Sequence, residues 1–384
     1  MKAFTLQKTA LTGNYAVAYA VKMAKPHVIA AYPITPQTSI VEKLAEFVEK
    51  GELKARFVNV ESEFSAMSVV YGAAMAGARV FTATSSHGLL YMYEATWWAA
   101  LSRAPVVMAV VTRTIGPPWN IHVEHNDILT LRDAGWIIAM AETVQEAFDL
   151  TLQAFRIAES AALPMAVGVD GFILSHSTEP VEIPPQEVVD KFLPPRRPDV
   201  PMLLRPGEPV AFGNLPSDNK IHAKHKITTV FEAQQEAKKI IIKADEEYGK
   251  LVGRRYGGLV EWYRADDAKH VVVCAGAWCS DAKHAVDSLR ARGVSVGLMR
   301  MRFIRPFPRE EITKLDQYST VVVYDRDITP LGGVLGLEVN AALSHARVVN
   351  IVAGIAGVDF DSRRFYETIQ NAIEGGYKEL EFVV

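Results

Sequence analysis

The chain has 384 residues, 49% of them hydrophobic and 22% charged, with a formal net charge of -3, the profile of a globular protein long enough for two or three domain cores. So balanced a charge leaves no nucleic-acid footprint, and two cysteines, Cys274 and Cys279, supply neither a disulfide framework nor the four thiolates of an iron–sulfur cluster. No basic-then-apolar leader is read at the start, and the longest apolar window, 95–111, is interrupted by Arg103 and Pro105, so no membrane span and a cytoplasmic, reducing location are expected.

Residues 10–25 read as a helix and HVIAAYPI (27–34) as a strand, followed by a helix over 39–50 that stops at Gly51. Between strand and helix lies AYPITPQT, in which Pro33 and Pro36 bracket Thr35. Each proline fixes its own φ and biases the residue before it, so Ile34 and Thr35 should form a stiff, non-helical turn. A hydroxyl held at a strand end suits a ligand contact; the plainer alternative is a simple turn with Thr38 or Ser39 capping the next helix. RFVNV then predicts a strand, 63–77 a helix, ARVFTAT a strand, and 88–102 a helix. The β-branched run APVVMAVVTR suits the buried middle of a parallel sheet. Thr143 and Glu146 form a capping box opening a helix through Ala158, and PMAVGVDGFIL closes the unit.

Ten of the 20 prolines fall between Glu179 and Pro216, which predicts an extended linker wrapped over a surface. NKIHAKHK (219–226) is too short a basic patch for nucleic acid, and 229–256 reads as one long helix. From Lys269 a second βα series runs through HVVVCAGAW, a helix over 281–292, VSVGLMRM, RPFPREEI, TVVVYDRD, a helix over 334–343 and RVVNIVAG. The Gly332–Gly333 pair lacks the full dinucleotide fingerprint, and close helix–strand packing explains it at least as well. The fold class is therefore α/β, with two doubly wound parallel-sheet domains joined by a Pro-rich linker and a long helix: 1–178, 179–262 and 263–384.

Three polar features mark strand ends of the first domain: Thr35, the carboxylates Glu61 and Glu63 in NVESEFSA, and Arg113 after VVMAVVT. Strand C-termini of an open α/β sheet converge on one ligand-binding edge, where these groups would suit an anionic substrate and a proton partner. Each has a plain alternative: a carboxylate in a first helical turn complements the dipole, and Arg113 could pair with a nearby acid. His87, His122 and His125 lie in the polar loops SSHGLLYMYE and PPWNIHVEHND. No H-E-x-x-H or comparable spacing is present, so no metal site is expected. Trp119, Asn120, His122, His125, Asn126 and Asp127 make the second loop a candidate substrate or interface loop. Neither a G-x-S-x-G elbow nor a P-loop occurs.

YPITP, VESEFSA, ARVFTATSSHGL, MAVVTR, HND before RDAGW, VDGFILSHSTEPVEIP, RPFP and VVVYDRDI occur in an order that closely resembles, nearly end to end, the alpha subunit of 2-oxoacid:ferredoxin oxidoreductases of the pyruvate synthase and 2-oxoisovalerate type. The resemblance implies a thiamine-diphosphate pyrimidine-binding domain followed by a transketolase C-terminal-like domain. It also implies a beta partner that holds the diphosphate and Mg2+ with a G-D-G signature absent here; VDG at 169–171 is a different motif. Gamma and ferredoxin-like delta subunits would carry iron–sulfur clusters and help bind coenzyme A, with ferredoxin or a similar carrier accepting electrons. Carried over by position, Glu63 would bond the aminopyrimidine nitrogen and promote deprotonation of the thiazolium carbon; Glu61 is its rival. Thr35 would contact substrate and Arg113 would bind the 2-oxoacid carboxylate, with Pro33, Ser86 and His87 lining the cofactor. The bulky TIGPPWNIHVEH loop departs from pyruvate-specific members, leaving pyruvate, branched and aryl 2-oxoacids open. Two alternatives stand beside this one: a transketolase-like or NAD-linked component with the same cofactor, and a non-catalytic assembly subunit.

Overall fold

A computed structural model describes residues 6–196, 204–208 and 217–384. Its strands in chain order are β1 (Gln7–Thr12), β2 (Val28–Ala31), β3 (Arg56–Asn59), β4 (Val80–Thr84), β5 (Val106–Thr112), β6 (Ile137–Met140), β7 (Met165–Asp170) and β8 (Thr178–Ile183), then β9 (Val260–Tyr263), β10 (His270–Cys274), β11 (Val296–Met301), β12 (Phe303–Arg305), β13 (Thr320–Asp325), β14 (Arg347–Ala353) and β15 (Leu380–Val383). The first lobe is a seven-stranded sheet in the order β12-β6-β7-β5-β4-β2-β3, the second a six-stranded sheet in the order β15-β14-β13-β10-β11-β9. Pairing is parallel except at the edge strands β12 and β9, as βαβ crossovers with helices on both faces require. All seven residues of β5 are buried, which accounts for its unbroken apolar run.

Departures from the sequence expectations have local causes. The chain before residue 13 is a strand, not helix: β1 pairs antiparallel with β8 in full register, Gln7 against Ile183 and Thr12 against Thr178. Its mixed polar sequence hides a partner some 170 residues away, and the helix Gly13–Ala24 starts only where the Thr12 hydroxyl accepts the Tyr15 N–H. β8 and a helix over Gln186–Phe192 occupy the start of the stretch read as extended linker; much of its remainder lies outside the described residues. The helix expected over 88–102 is two, Ser86–Tyr91 and Tyr93–Leu101, meeting at Met92. The long helix is Ala233–Val252, preceded by a wide turn over Ile227–Glu232 and the helix Asn219–Lys226, and halted by Gly253 at φ 85°.

Two features bind the lobes. β12 leaves the second lobe to pair with β6 as an edge strand of the first lobe's sheet, Phe303 against Ala139. Thr143 caps the helix Val144–Ala161 by accepting the Glu146 N–H at 3.1 Å. The Glu146 carboxylate does not return to Thr143; it takes the Glu142 N–H (2.9 Å), Arg300 Nη1 (2.5 Å) and Arg302 Nε (2.7 Å). Burial alone would push that carboxyl up, but the two guanidinium groups hold it at about 2. Cys274 and Cys279 are buried free thiols with Sγ atoms 2.9 Å apart. A Cβ on Gly333 would stand 2.2 Å from the Asp325 side chain, and Asp325 already accepts the N–H groups of Leu335 and Gly336. The glycine pair thus serves close packing, and an aspartate fills the helix N-terminus.

Candidate active site

The C-terminal ends of β2, β3, β4, β5 and β7 open on one edge of the large sheet, and the turns beyond them carry Thr35, Glu63, Ser86, Arg113 and Gly171. Thr35 lies exposed in the turn before the helix Thr38–Glu49. Neither Thr38 nor Ser39 caps that helix: its N-cap is Gln37, without a side-chain bond, and the Ser39 hydroxyl instead accepts from Asn14. Pro33 is exposed in the same turn.

Glu61 and Glu63 differ in environment. Glu61 is exposed and accepts the Ser65 hydroxyl, which holds its carboxyl below the usual range. Glu63, in the first turn of the helix Glu63–Met75, is 7% exposed. Among the described residues no cation pairs with it. Residue 88 is glycine because the helix packs directly on Glu63: a Cβ there would stand 2.6 Å from Glu63 Oε1 and 2.7 Å from Thr84 Oγ1. Among the described residues the buried hydroxyls of Thr84 and Ser85 find no hydrogen-bond partner. Orphaned buried groups of this kind ask for a ligand, and a carboxylate with two hydroxyls fits the polar edge of an aminopyrimidine ring.

Arg113 is buried yet joins no ion pair with a carboxylate among the described residues. Its Nη1 donates to the Thr35 carbonyl at 2.8 Å and its Nε to the Asn120 carbonyl at 3.3 Å, while the Trp119 ring packs on the guanidinium at 5.3 Å. Burial lowers its pKa from the ordinary arginine value, so an incoming anion would relieve a desolvated charge. Trp119, 75% exposed, also packs on His87 at 5.1 Å. His87 lies 3.2 Å from both Ser86 Oγ and the Gly116 carbonyl.

The remaining loop residues face inward or toward the second lobe. Asn120 donates to the Ala356 carbonyl at 3.0 Å, and His122 packs on Phe172. His125 donates from Nε2 to Asp170 Oδ1 at 2.9 Å, and Asp170 Oδ2 lies 3.4 Å from Arg326 Nη1. Asn126 exchanges two 3.0 Å hydrogen bonds with the Ile328 backbone. Asp127 is fully buried, and burial pushes its carboxyl up to about 7 despite three backbone N–H donors. The structure thus gathers Thr35, Trp119 and Asn120 around the Arg113 guanidinium, links His87 and Ser86 to it through Trp119, sets Glu63 beside the Ser86 helix, and gives His122, His125 and Asn126 to the lobe seam. Gly88, Thr84 and Asp170 escaped the sequence reading. A helical glycine was the one available signal for the first.

The described pyruvate flavodoxin/ferredoxin oxidoreductase thiamine-diphosphate-binding family matches residues 19–246, and the pyruvate:ferredoxin oxidoreductase core domain II family matches 268–365. Fold and matches together define a subunit of a thiamine-diphosphate-dependent oxidoreductase. Pyruvate synthase subunit PorA of Methanothermobacter thermautotrophicus is 44% identical, with 94% of each chain covered. Ketoisovalerate oxidoreductase subunit VorA of Pyrococcus abyssi is 41% identical, covering 97% of this chain and 96% of that one. The chain belongs to the alpha subunits of the 2-oxoacid:ferredoxin oxidoreductases. A solved 2-oxoglutarate:ferredoxin oxidoreductase from Magnetococcus marinus, described with 2-oxoglutarate, coenzyme A and succinyl-CoA bound, shares the fold at TM-score 0.73 and 20% identity. The match covers 95% of this chain, which spans 65% of that chain's length. Among the described residues no helix is long and apolar enough to cross a membrane.

Proposed function

We propose that this chain supplies the aminopyrimidine and substrate-carboxylate side of an active site for coenzyme A-dependent oxidative decarboxylation of a 2-oxoacid. The observation that carries the reading is Glu63: a buried carboxylate without a cation among the described residues, next to the orphaned Thr84 hydroxyl and packed against Gly88, where no side chain fits. Its carboxyl group would share a proton with the pyrimidine ring nitrogen. Bound there, thiamine diphosphate supplies the electron sink for decarboxylation. Arg113 would receive the 2-oxoacid carboxylate, with Thr35 at the same edge and Trp119 screening the guanidinium from water.

The diphosphate and Mg2+ would be held by a beta subunit, with gamma and ferredoxin-like delta subunits passing electrons through iron–sulfur clusters to ferredoxin. Phe64, Leu90 and Tyr91, on the two helices that carry Glu63 and Ser86, are exposed apolar side chains and support a partner covering this edge. The test is a panel of acetyl, branched and aryl 2-oxoacids on the assembled complex, read as thiamine-diphosphate-dependent and coenzyme A-dependent dye reduction. At least one should turn over. Activity toward none, in a complex loaded with thiamine diphosphate, sinks the reading.

A further inference from the structure

Asp127 lies in the short helix Asn126–Leu129, and its side chain is inaccessible to solvent. One oxygen, Oδ2, accepts two backbone N–H groups from separate strand ends: Ser86 at 2.8 Å and Arg113 at 2.9 Å. The other, Oδ1, accepts the N–H of Ile128 at 2.7 Å. β4 and β5 are parallel neighbours whose register runs out at Thr84 against Val110. Beyond it the two chains diverge, and the Asp127 carboxylate bridges their next backbone donors.

The Ser86 end of that bridge is unusual. Ser86 holds φ 47°, a left-handed conformation that a non-glycine residue adopts only when its surroundings impose it. Its hydroxyl donates to the Thr114 carbonyl, one residue past Arg113. The same junction therefore fixes the backbone on both sides of the Arg113 side chain, and through Ser86 and His87 it fixes the ring against which Trp119 packs. With three donors already on it and no solvent path, Asp127 has no means of touching substrate itself. An amide could not replace it: every partner is an N–H, so an asparagine would turn its own NH2 on one of them.

We propose that Asp127 is a positioning residue that locks the ends of β4 and β5 together and so aims the Arg113 guanidinium at the 2-oxoacid carboxylate, a role that rests on the function proposed above. When ionised, Asp127 makes all three bonds charge-assisted, and a small error in aim is costly where a planar fork must meet a planar carboxylate.

The test uses the assembled complex carrying Asp127→Asn, alone and together with Arg113→Ala. Alone, D127N should raise KM for the 2-oxoacid roughly tenfold or more, with kcat and the thiamine diphosphate dissociation constant changed less than about threefold. In the R113A background it should shift KM less than about twofold, because the group it aims is gone. An unchanged KM in D127N overturns the proposal, as does an equal KM increment on both backgrounds, which would mark general loosening. If D127N does not assemble, Asp127→Glu keeps the charge and displaces the acceptor; it should raise KM in the same way, and an unaltered KM there also overturns the proposal. Failure of the wild-type complex to use any 2-oxoacid would sink the function instead, so the two failures are distinguishable.

Discussion

The Arg113 guanidinium donates to the carbonyl oxygen of Thr35 at 2.8 Å. This bond spans strand β4, joining the turn after β2 to the loop after β5. With Nε taken by the Asn120 carbonyl, it leaves Nη2 as the nitrogen for an anion. Breaking it by Arg113→Ala should weaken 2-oxoacid binding by roughly 1.5–3 kcal/mol, the worth of a charge-assisted bond, or a KM increase of about 10- to 150-fold. Thiamine diphosphate affinity should stay within about twofold. Steady-state kinetics with separate cofactor titration checks both.

Glu63→Gln keeps the shape of the side chain and removes its proton-sharing capacity. The complex should assemble normally, while turnover falls by about 10²- to 10⁴-fold, the usual scale of a lost acid–base group. Full dye-reduction rates in that variant would remove Glu63 from the chemistry.

Gly88→Ala tests the close packing beside Glu63. A methyl group 2.6 Å from Oε1 and 2.7 Å from Thr84 Oγ1 must push one of them away, at a cost of about 1–3 kcal/mol. Thiamine diphosphate affinity should drop roughly 5- to 150-fold. Gly72, exposed in the helix Glu63–Met75 with nothing within 4 Å of its would-be Cβ, is the control. Gly72→Ala should raise stability by about 0.5–1 kcal/mol, read as a higher melting temperature.

The Glu146 cluster predicts a pH dependence of stability. Its carboxyl titrates at about 2 in the fold against 4.5 ordinarily. The stabilisation it contributes is therefore complete above pH 4.5 and lost as pH falls toward 2. Glu146→Gln should abolish that acid-side component. It should also destabilise the chain at neutral pH by about 3–5 kcal/mol, because Arg300 and Arg302 would stay buried without their shared acceptor. Thermal melts of both proteins across pH 3–7 check it.

What the sequence revealed was local. Alternating apolar runs located the buried strands, because β-branched residues bounded by turns have few other uses, and the prolines around Thr35 marked a turn that the structure places at the strand edge. What stayed hidden was distant. His125, Asn126 and Asp127 sit in one polar loop, yet their side chains reach Asp170, Ile328 and Ser86, partners between 41 and 202 residues away. β1 and β8 were likewise illegible, since each turns only one or two apolar residues into the core, Leu11 and Val181 with Ile183, too few to demand a strand. Cofactor and substrate roles for Glu63, Thr35 and Arg113 came from resemblance; spacing alone left each with a structural alternative. For Arg113 that alternative, a carboxylate partner, finds no counterpart among the described ion pairs.

The crossing of Phe303–Arg305 into the neighbouring sheet has a practical consequence for anyone dissecting this subunit. Were the chain cut after the long helix, Ile137–Met140 would be left bare along one margin, an open template for intermolecular pairing. A fragment ending near residue 262 should therefore self-associate, and supplying the missing C-terminal piece in trans should return it to dispersed form.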